Sequence, residues 1–463
     1  MKPLKTGLLP LYLELYDRVL PDMRVPFTGF LETIRRGLTA FGAEVVAAGI
    51  CRLRSEVEDA VRLFERKQVD AIVTLHLAYS PSLEAADVLA STSIPVVVLD
   101  TTPDFRFGPG QDPERLLYNH GIHGVQDLCN LLLRRGKRFL IEAGHWEQSD
   151  VLRRVVADVR AARLANGMRS ARVGRIGKSF IGMGDFAVPA ELLAETIGFQ
   201  VVEADRRELA SVVQGVGEEE VSAEMESDRA RFLLNGLDPE VHRCSALAGL
   251  AVRRWCEEKE ITAFSFNFMD IDGEQMLPTV PFLESSKAME RGMGYAGEGD
   301  VLTAAFVGSL VAVYPETTFT EMFCPDWEKG HIFLSHMGEV NFRTLMQSPK
   351  LIACPFPFTK VPPPVIGVGR YQAGEAMLLN IAPAGTGGYG LIAAPVTVLA
   401  VNDDDRWTDS VHGWIQPRLP VAEFLTDYSR AGGTHHLAMV YGATLQEVSA
   451  WGELMDWTVR HLK

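Results

Sequence analysis

The sequence predicts an α/β protein: two doubly wound α/β domains with parallel sheets, then a C-terminal antiparallel β-rich, barrel-like domain with a terminal helix. Three observations lead there. Up to about residue 314, short apolar runs alternate with amphipathic segments, as strands alternate with the helices that cover a parallel sheet. After Tyr314-Pro315 the texture turns rich in Pro, Gly, Thr and Val, with short strand-like runs that suit an antiparallel sheet or barrel. The length of 463 residues, 47% of them hydrophobic and 23% charged, suits about three domains with full cores. The boundaries read as 1–170, 171–314 and 315–463.

In the first domain, strands are predicted at 7–13, 44–48, 71–75, 95–99 and 139–142, with helices at 27–41, 55–67, 82–89, 125–135 and 149–164. Ligands of such sheets sit beyond the carboxyl ends of the strands. Two loops there are polar, His76-Leu-Ala-Tyr79-Ser80-Pro81 and Asp100-Thr-Thr-Pro-Asp104. Neither G-x-G-x-x-G after the first strand nor G-x-x-x-x-G-K-[ST] occurs, so nucleotide binding has no motif support. In the second domain, strands are predicted at 171–176, 200–203 and 262–268, and helices at 190–197, 218–235, 240–259, 282–291 and 300–313. The charge-rich face of 218–231 reads as solvated. In the third, strands are predicted at 317–323, 331–335, 365–368, 376–381, 389–394 and 396–401, punctuated by Pro362-Pro-Pro and Gly385-Thr-Gly-Gly. A helix at 421–429 and a terminal helix at 445–462 follow; Trp451, Leu454, Met455 and Val459 repeat on the latter at helical spacing.

Acidic residues outnumber basic ones 60 to 45, a net charge of −15. That balance argues against nucleic acid or an anionic membrane as the main partner. The 6 cysteines are scattered without a C-x-x-C pair, which disfavours a disulfide framework or a structural zinc site and fits a cytoplasmic protein. The apolar run at 8–15 is interrupted by Pro10 and Glu14 and has no small-residue cleavage site, so it reads as a first strand and not a signal peptide. The apolar run 301–313 is shorter than the ~20 residues a bilayer span needs and reads as a buried helix.

Candidate chemistry gathers between 295 and 341, in Gly297-Glu298-Gly299-Asp300, Phe319-Thr320-Glu321 and Ser335-His336-Met337-Gly338-Glu339-Val340. Gly432-Gly433-Thr434-His435-His436 adds two imidazoles. Two carboxylates with one or two imidazoles suit a divalent ion such as Mn²⁺ better than a soft thiolate-binding metal. Each residue also has a plain structural reading. Glycines flanking Glu298 allow a sharp turn and close ligand approach. The alternative is capping of the helix 300–313 by Glu298 or Asp300, a role that Asp300 fills well. Glu321 lies in an apolar run, where a buried carboxylate needs a partner or a metal; an exposed strand face is the alternative. His336 follows an apolar strand, where a lone histidine is commonly structural. Adjacent imidazoles tend to point apart, so one ligand is expected from His435 and His436.

Further motifs stand in order along the chain: Asn119-His120-Gly-Ile-His123-Gly, Gly144-His145-Trp146, Ala263-Phe-Ser-Phe-Asn267-Phe268 with Leu277-Pro278, and Tyr295-Ala-Gly-Glu298-Gly-Asp300 with Thr303-Ala-Ala. Phe319-Thr-Glu321, His336-Met-x-Glu339-Val and Gly432-Gly-x-His435-His436 complete them. In these motifs, over nearly all its length, the chain resembles the L-arabinose isomerase / L-fucose isomerase-like superfamily, on the arabinose isomerase side. The resemblance implies two α/β domains and a β-rich domain. It implies aldose–ketose isomerisation through an enediolate, with Mn²⁺ (Mg²⁺ or Co²⁺ as substitutes) held by Glu298, Glu321, His336 and His436. Glu298 and Glu321 would then form the acid/base pair that moves a proton between C2 and C1 beside a Lewis-acid ion. It also implies a homo-oligomer with active sites between subunits, in which Tyr79, His120 and His123 serve a neighbour's site. His435, Phe180 and Phe268 would face the sugar.

Three departures bear on the substrate. Leu9-Pro10-Leu11 stands where arabinose isomerases carry Gly-Ser-Gln, Met322-Phe323 follows Glu321 in place of Asp-Tyr, and His120 replaces a glutamine. Metal ligands persist while substrate-facing groups change, so a sugar other than L-arabinose is expected. The alternatives are a sugar epimerase at the same ion and a catalytically silent sugar-binding or regulatory protein; the intact ligand set argues against the latter.

Overall fold

A computed structural model describes every residue except 1–2, 235, 274, 386 and 402–404. The predicted helix end at Asn235 and Thr386 of the Gly-Thr-Gly-Gly turn therefore lie outside the described residues. The chain packs as two compact units: unit 1 is Met1–Asn166 with Gln446–Met455, and unit 2 is Gly167–Leu445 with Asp456–Lys463.

Unit 1 holds a parallel sheet of β1 (Leu4–Leu11), β2 (Ala43–Ala47), β3 (Ala71–His76), β4 (Val96–Asp100) and β5 (Phe139–Ala143), in the order β2-β1-β3-β4-β5. β3 is buried along its whole length, as expected of a strand with helices on both faces. The helix Arg54–Lys67 buries Val57, Ala60, Val61 and Phe64, spaced by three and four residues. Gly7 on β1 makes room for it, since a Cβ there would lie 2.7 Å from the Phe64 ring. The helix predicted at 82–89 is broken into a 3-10 turn, Ser82–Glu84, and a short helix, Ala86–Ser91. Asp127 pins the first turn, accepting from the Ser82 N–H at 3.0 Å and its hydroxyl at 2.9 Å.

Asp158 is buried on the helix Val151–Arg169. Burial, then Glu142 and Glu453, push its carboxyl up to about 8, with Arg154 offsetting part. A folded-state pKa above the unfolded value means the stability is complete at low pH and is lost as the pH rises through the folded pKa. Asp158→Asn removes that loss, which amounts to at most roughly 5 kcal/mol. The melting-temperature gain of the variant over the natural chain is expected to grow from about pH 4 and level off above about 8. A gain independent of pH would refute this.

Unit 2 begins with a second parallel sheet: β6 (Arg172–Ile176), β7 (Gln200–Glu203), β8 (Ala263–Phe266) and β9 (Gly294–Gly297), ordered β7-β6-β8-β9. β9 has no counterpart among the predicted strands because its Gly-Tyr-Ala-Gly carries little strand propensity. Tertiary packing makes it: Gly294 and Gly308 bring β9 and the apolar helix Val301–Val311 into backbone contact.

The remainder forms a nine-stranded sheet of β10 (Thr317–Asp326), β11 (His331–His336), β12 (Lys350–Ala353), β13 (Val365–Arg370), β14 (Gly374–Pro383), β15 (Tyr389–Val398), β16 (Val411–Pro417), β17 (His436–Val440) and β18 (Thr458–His461). Antiparallel pairings run β10–β11–β16–β15–β14–β17 and return to β10, so the sheet closes into a ring around Leu334, Leu378, Ile392, Val411, Ile415 and Leu437. β13 and β18 add parallel pairings on the outside, which makes the sheet mixed and not purely antiparallel. The strands predicted at 389–394 and 396–401 are one strand. Pro395 falls where one edge of β15 changes partner, from β18 at Ala393 to β16 at Val396, a place that tolerates a missing N–H. The terminal helix is Leu445–Met455 and stops seven residues short of its predicted end. Asp456 adopts φ +62°, a left-handed stop, and Val459 lies on β18 instead. Among the described residues no helix is long and apolar enough to cross a membrane.

Candidate functional site

Glu298 and Gly299 make the turn between β9 and the helix Val301–Val311. Glu298 sits at φ +61° and Gly299 at φ +81°. A left-handed glutamate is strained by about 1–3 kcal/mol and persists only where its surroundings enforce it. Here the Glu298 carbonyl accepts from the Phe180 N–H at 2.9 Å. The Ser265 hydroxyl donates to the Gly297 carbonyl at 3.0 Å. A Cβ at Gly299 would lie 2.7 Å from the Lys178 carbonyl oxygen. Asp300 caps the helix, its Oδ1 accepting from the Thr303 N–H at 2.9 Å, while Oδ2 lies 2.9 Å from His436 Nδ1. It is fully buried.

Two strands of the ring supply the rest. By register, Glu321 on β10 stands opposite His436 on β17 and Ser335 on β11. His336 ends β11. His436 Nε2 is 3.2 Å from Glu321 Oε1 and 3.5 Å from Glu298 Oε2, and His336 Nε2 is 3.3 Å from Glu321 Oε1. Each ring is held from behind by a carboxylate: His436 by Asp300, and His336 by Glu339 at 2.6 Å, to which the Tyr295 hydroxyl donates at 2.6 Å. Such pairing orients the imidazole and leaves Nε2 facing forward. Phe319 packs edge-on against both rings, and Phe186 stacks on His436 at 4.7 Å.

Burial alone would raise the Glu298 carboxyl, but His435 and His436 beside it hold it at about 2. Burial likewise opposes ionisation of Glu321, and His336 and His436 hold it well below the usual carboxylate range. Burial would lower His336, yet Glu339 and Glu321 raise it to about 10. Glu298 Oε2 and His436 Nε2 are buried without a hydrogen-bond partner although they face each other. Unsatisfied buried polar atoms are rare and call for an explanation. Donor atoms of Glu298, His435 and His436 lie within 4.8 Å of one another, as do those of Glu321, His336 and His436. Carboxylate oxygens with imidazole nitrogens at this spacing fit a divalent cation.

Unit 2 thus brings together Glu298, Glu321, His336, His435 and His436. Both histidines of the pair turn Nε2 toward the same carboxylates, contrary to the expectation that they point apart. His435 precedes β17 and escapes its alternation; its Nε2 is 3.7 Å from Glu298 and 4.0 Å from Glu321. Phe180 and Phe268 have ring centroids 5.6 Å apart, with Phe356 5.1 Å from Phe268. In unit 1, Tyr79, His120 and His123 form a cluster of their own, with centroids 6.4 and 5.0 Å apart, beside Tyr16. His120 Nδ1 is buried there without a partner. Sequence reasoning missed Tyr295, Asp185 and Phe186, and it gave Asp300 only its capping role. Asp185 and Phe186 lie in the loop after β6, where the rule of ligands beyond strand carboxyl ends points.

Residues 181–314 match the L-arabinose isomerase central domain, and residues 316–458 match the L-arabinose isomerase C-terminal domain. Glu298 falls in the first span; Glu321, His336, His435 and His436 fall in the second. The L-arabinose isomerase of Shouchella clausii (strain KSM-K16) is 26% identical over 370 residues, which cover 74% of this chain and 71% of that protein. The L-arabinose isomerase of Bacillus subtilis (strain 168) is 25% identical over 410 residues, covering 83% and 79%.

Proposed function

Since the chain belongs to the L-arabinose isomerase family as a divergent member, we propose that it interconverts an aldose and a ketose at a divalent cation, Mn²⁺ by preference, on a sugar other than L-arabinose. The observation that carries this is the convergence of Glu298, Glu321, His336 and His436, with Glu298 Oε2 and His436 Nε2 buried and unpartnered. These four residues would hold the ion. When bound, such an ion polarises the substrate's carbonyl and adjacent hydroxyl oxygens. The residues do the rest. One of Glu298 and Glu321 takes the C2 proton of the open-chain aldose and delivers it to C1 of the enediol, while the hydroxyl proton passes from O2 to O1. Both carboxylates converge on the same imidazoles, so either is placed to accept that proton. Asp300 and Glu339 keep the imidazoles aimed.

The substrate reading rests on the residues after Glu321. The β10–β11 register shifts between Met322 and Cys324, so Phe323 is the extra residue of a bulge and is exposed. Bulges beside sites re-aim side chains. The Tyr79–His120–His123 cluster is read as the part of a substrate site that one copy of the chain lends to another in a homo-oligomer.

The test is a panel of aldoses and ketoses incubated with EDTA-treated protein, with and without Mn²⁺, and followed by carbon NMR. Interconversion is expected only with Mn²⁺, and faster on some other sugar than on L-arabinose. Turnover in EDTA would refute the cation, and L-arabinose as the fastest substrate would refute the altered specificity. Sugar binding without turnover would point to a silent binding protein.

A further inference from the structure

The loop 177–189 after β6 contains neither helix nor strand, yet two adjacent residues in it grip the two histidines. Phe186 is buried and stacks on His436 with an interplanar angle of 11°. Asp185 Oδ2 accepts from the His435 backbone N–H at 3.1 Å and lies 2.6 Å from His435 Nδ1. A carboxylate only accepts, so Nδ1 carries the hydrogen and the ring is fixed in rotation. Its Nε2 is thereby set toward Glu298 and Glu321, on the open side of the cluster: the His435 side chain is 38% exposed, that of His436 0%. Glu298 and Glu321 lie closer to His436 (3.5 and 3.2 Å) than to His435 (3.7 and 4.0 Å).

We infer that Asp185 is a positioning residue, which locks His435 so that Nε2 takes a hydroxyl of an open-chain polyol beside the metal ligands and does not itself bind the metal. This rests on the proposed function. Nothing in the motifs singles out Asp185; its two hydrogen bonds to one residue do. It is exposed, so its removal leaves the core untouched.

Asp185→Ala, Asp185→Asn and His435→Gln are compared by calorimetry in two titrations. The first is Mn²⁺ alone into the metal-free protein. The second is ribitol, xylitol, L-arabitol or galactitol into the Mn²⁺-loaded protein. Asp185→Ala and His435→Gln are expected to keep Mn²⁺ affinity within about twofold and to lose about tenfold in alditol affinity, the scale of one hydrogen bond. Asp185→Asn, whose amide oxygen still accepts from Nδ1, is expected to stay within about threefold for both. Mn²⁺ and alditol affinities falling together would make Asp185 a support of the ligand set and overturn the inference. So would unchanged alditol affinity. A natural chain that binds Mn²⁺ but no alditol overturns the inference alone; one that binds no Mn²⁺ overturns the proposed function with it.

Discussion

Glu298→Gln is expected to lower isomerisation of the sugar found in the panel by roughly 10²–10⁴-fold, the usual contribution of a positioned acid or base. Glutamine keeps the shape and the backbone requirement of the turn, so the φ of +61° and the carbonyl contact to Phe180 can persist. What it loses is the negative charge and the ability to take a proton. kcat/KM with saturating Mn²⁺, beside a circular dichroism spectrum, separates lost chemistry from lost fold. A variant retaining more than about a tenth of the natural rate would remove Glu298 from the proton transfer, a role worth 10²-fold or more, and leave it to Glu321.

Asp300→Ala is expected to act on stability and on metal at once. It removes a helix cap worth about 1 kcal/mol. It also leaves His436 Nδ1 unpaired at a fully buried place, which costs about 1–3 kcal/mol. Beyond that, losing the carboxylate that orients a ligating imidazole typically weakens metal binding by about 10–100-fold. Asp300→Asn separates the effects: its side-chain oxygen can still cap the Thr303 N–H, but its NH₂ cannot accept from Nδ1. It is expected to recover only the cap, melting above Asp300→Ala but below the natural chain, while still binding Mn²⁺ more weakly. If Asp300→Asn binds Mn²⁺ as tightly as the natural chain, Asp300 is a cap and nothing more.

The capping role of Asp300 was readable because it depends on residues three apart. So was the sheet of unit 1, whose alternation repeats locally along the chain. His436 as a strand residue was not, because Gly432-Gly433 marks a turn and nothing local says that β17 will pair with β10 more than a hundred residues earlier. Ring closure, like the arrival of β18 on β15, is decided by such distant pairings. β9 failed for the opposite reason: its glycines are there for close packing against a helix, and glycine weakens any local strand signal. Leu9-Pro10-Leu11, a departure from the family pattern, lies on β1 paired with Thr74–Leu75-His76, and Leu9 and Leu11 are core residues. Glu298, Glu321, His336, His435 and His436, which converge at the candidate site, could be named from motifs, whereas the loop that grips His435 and His436 has no motif to name it.

From Gln446 on, the helix Leu445–Met455 belongs to unit 1, with Glu447 bonded to Arg160 at 3.1 Å and Gln446 to Glu142 at 3.1 Å, while β18 just after it belongs to unit 2. A ribosome therefore releases the last piece of unit 1 only after nearly all of unit 2 has been made. The N-terminal sheet emerges first, but the helix carrying the buried Trp451 and Leu454 joins its unit only near the end of synthesis. Neither unit can be excised at a single cut.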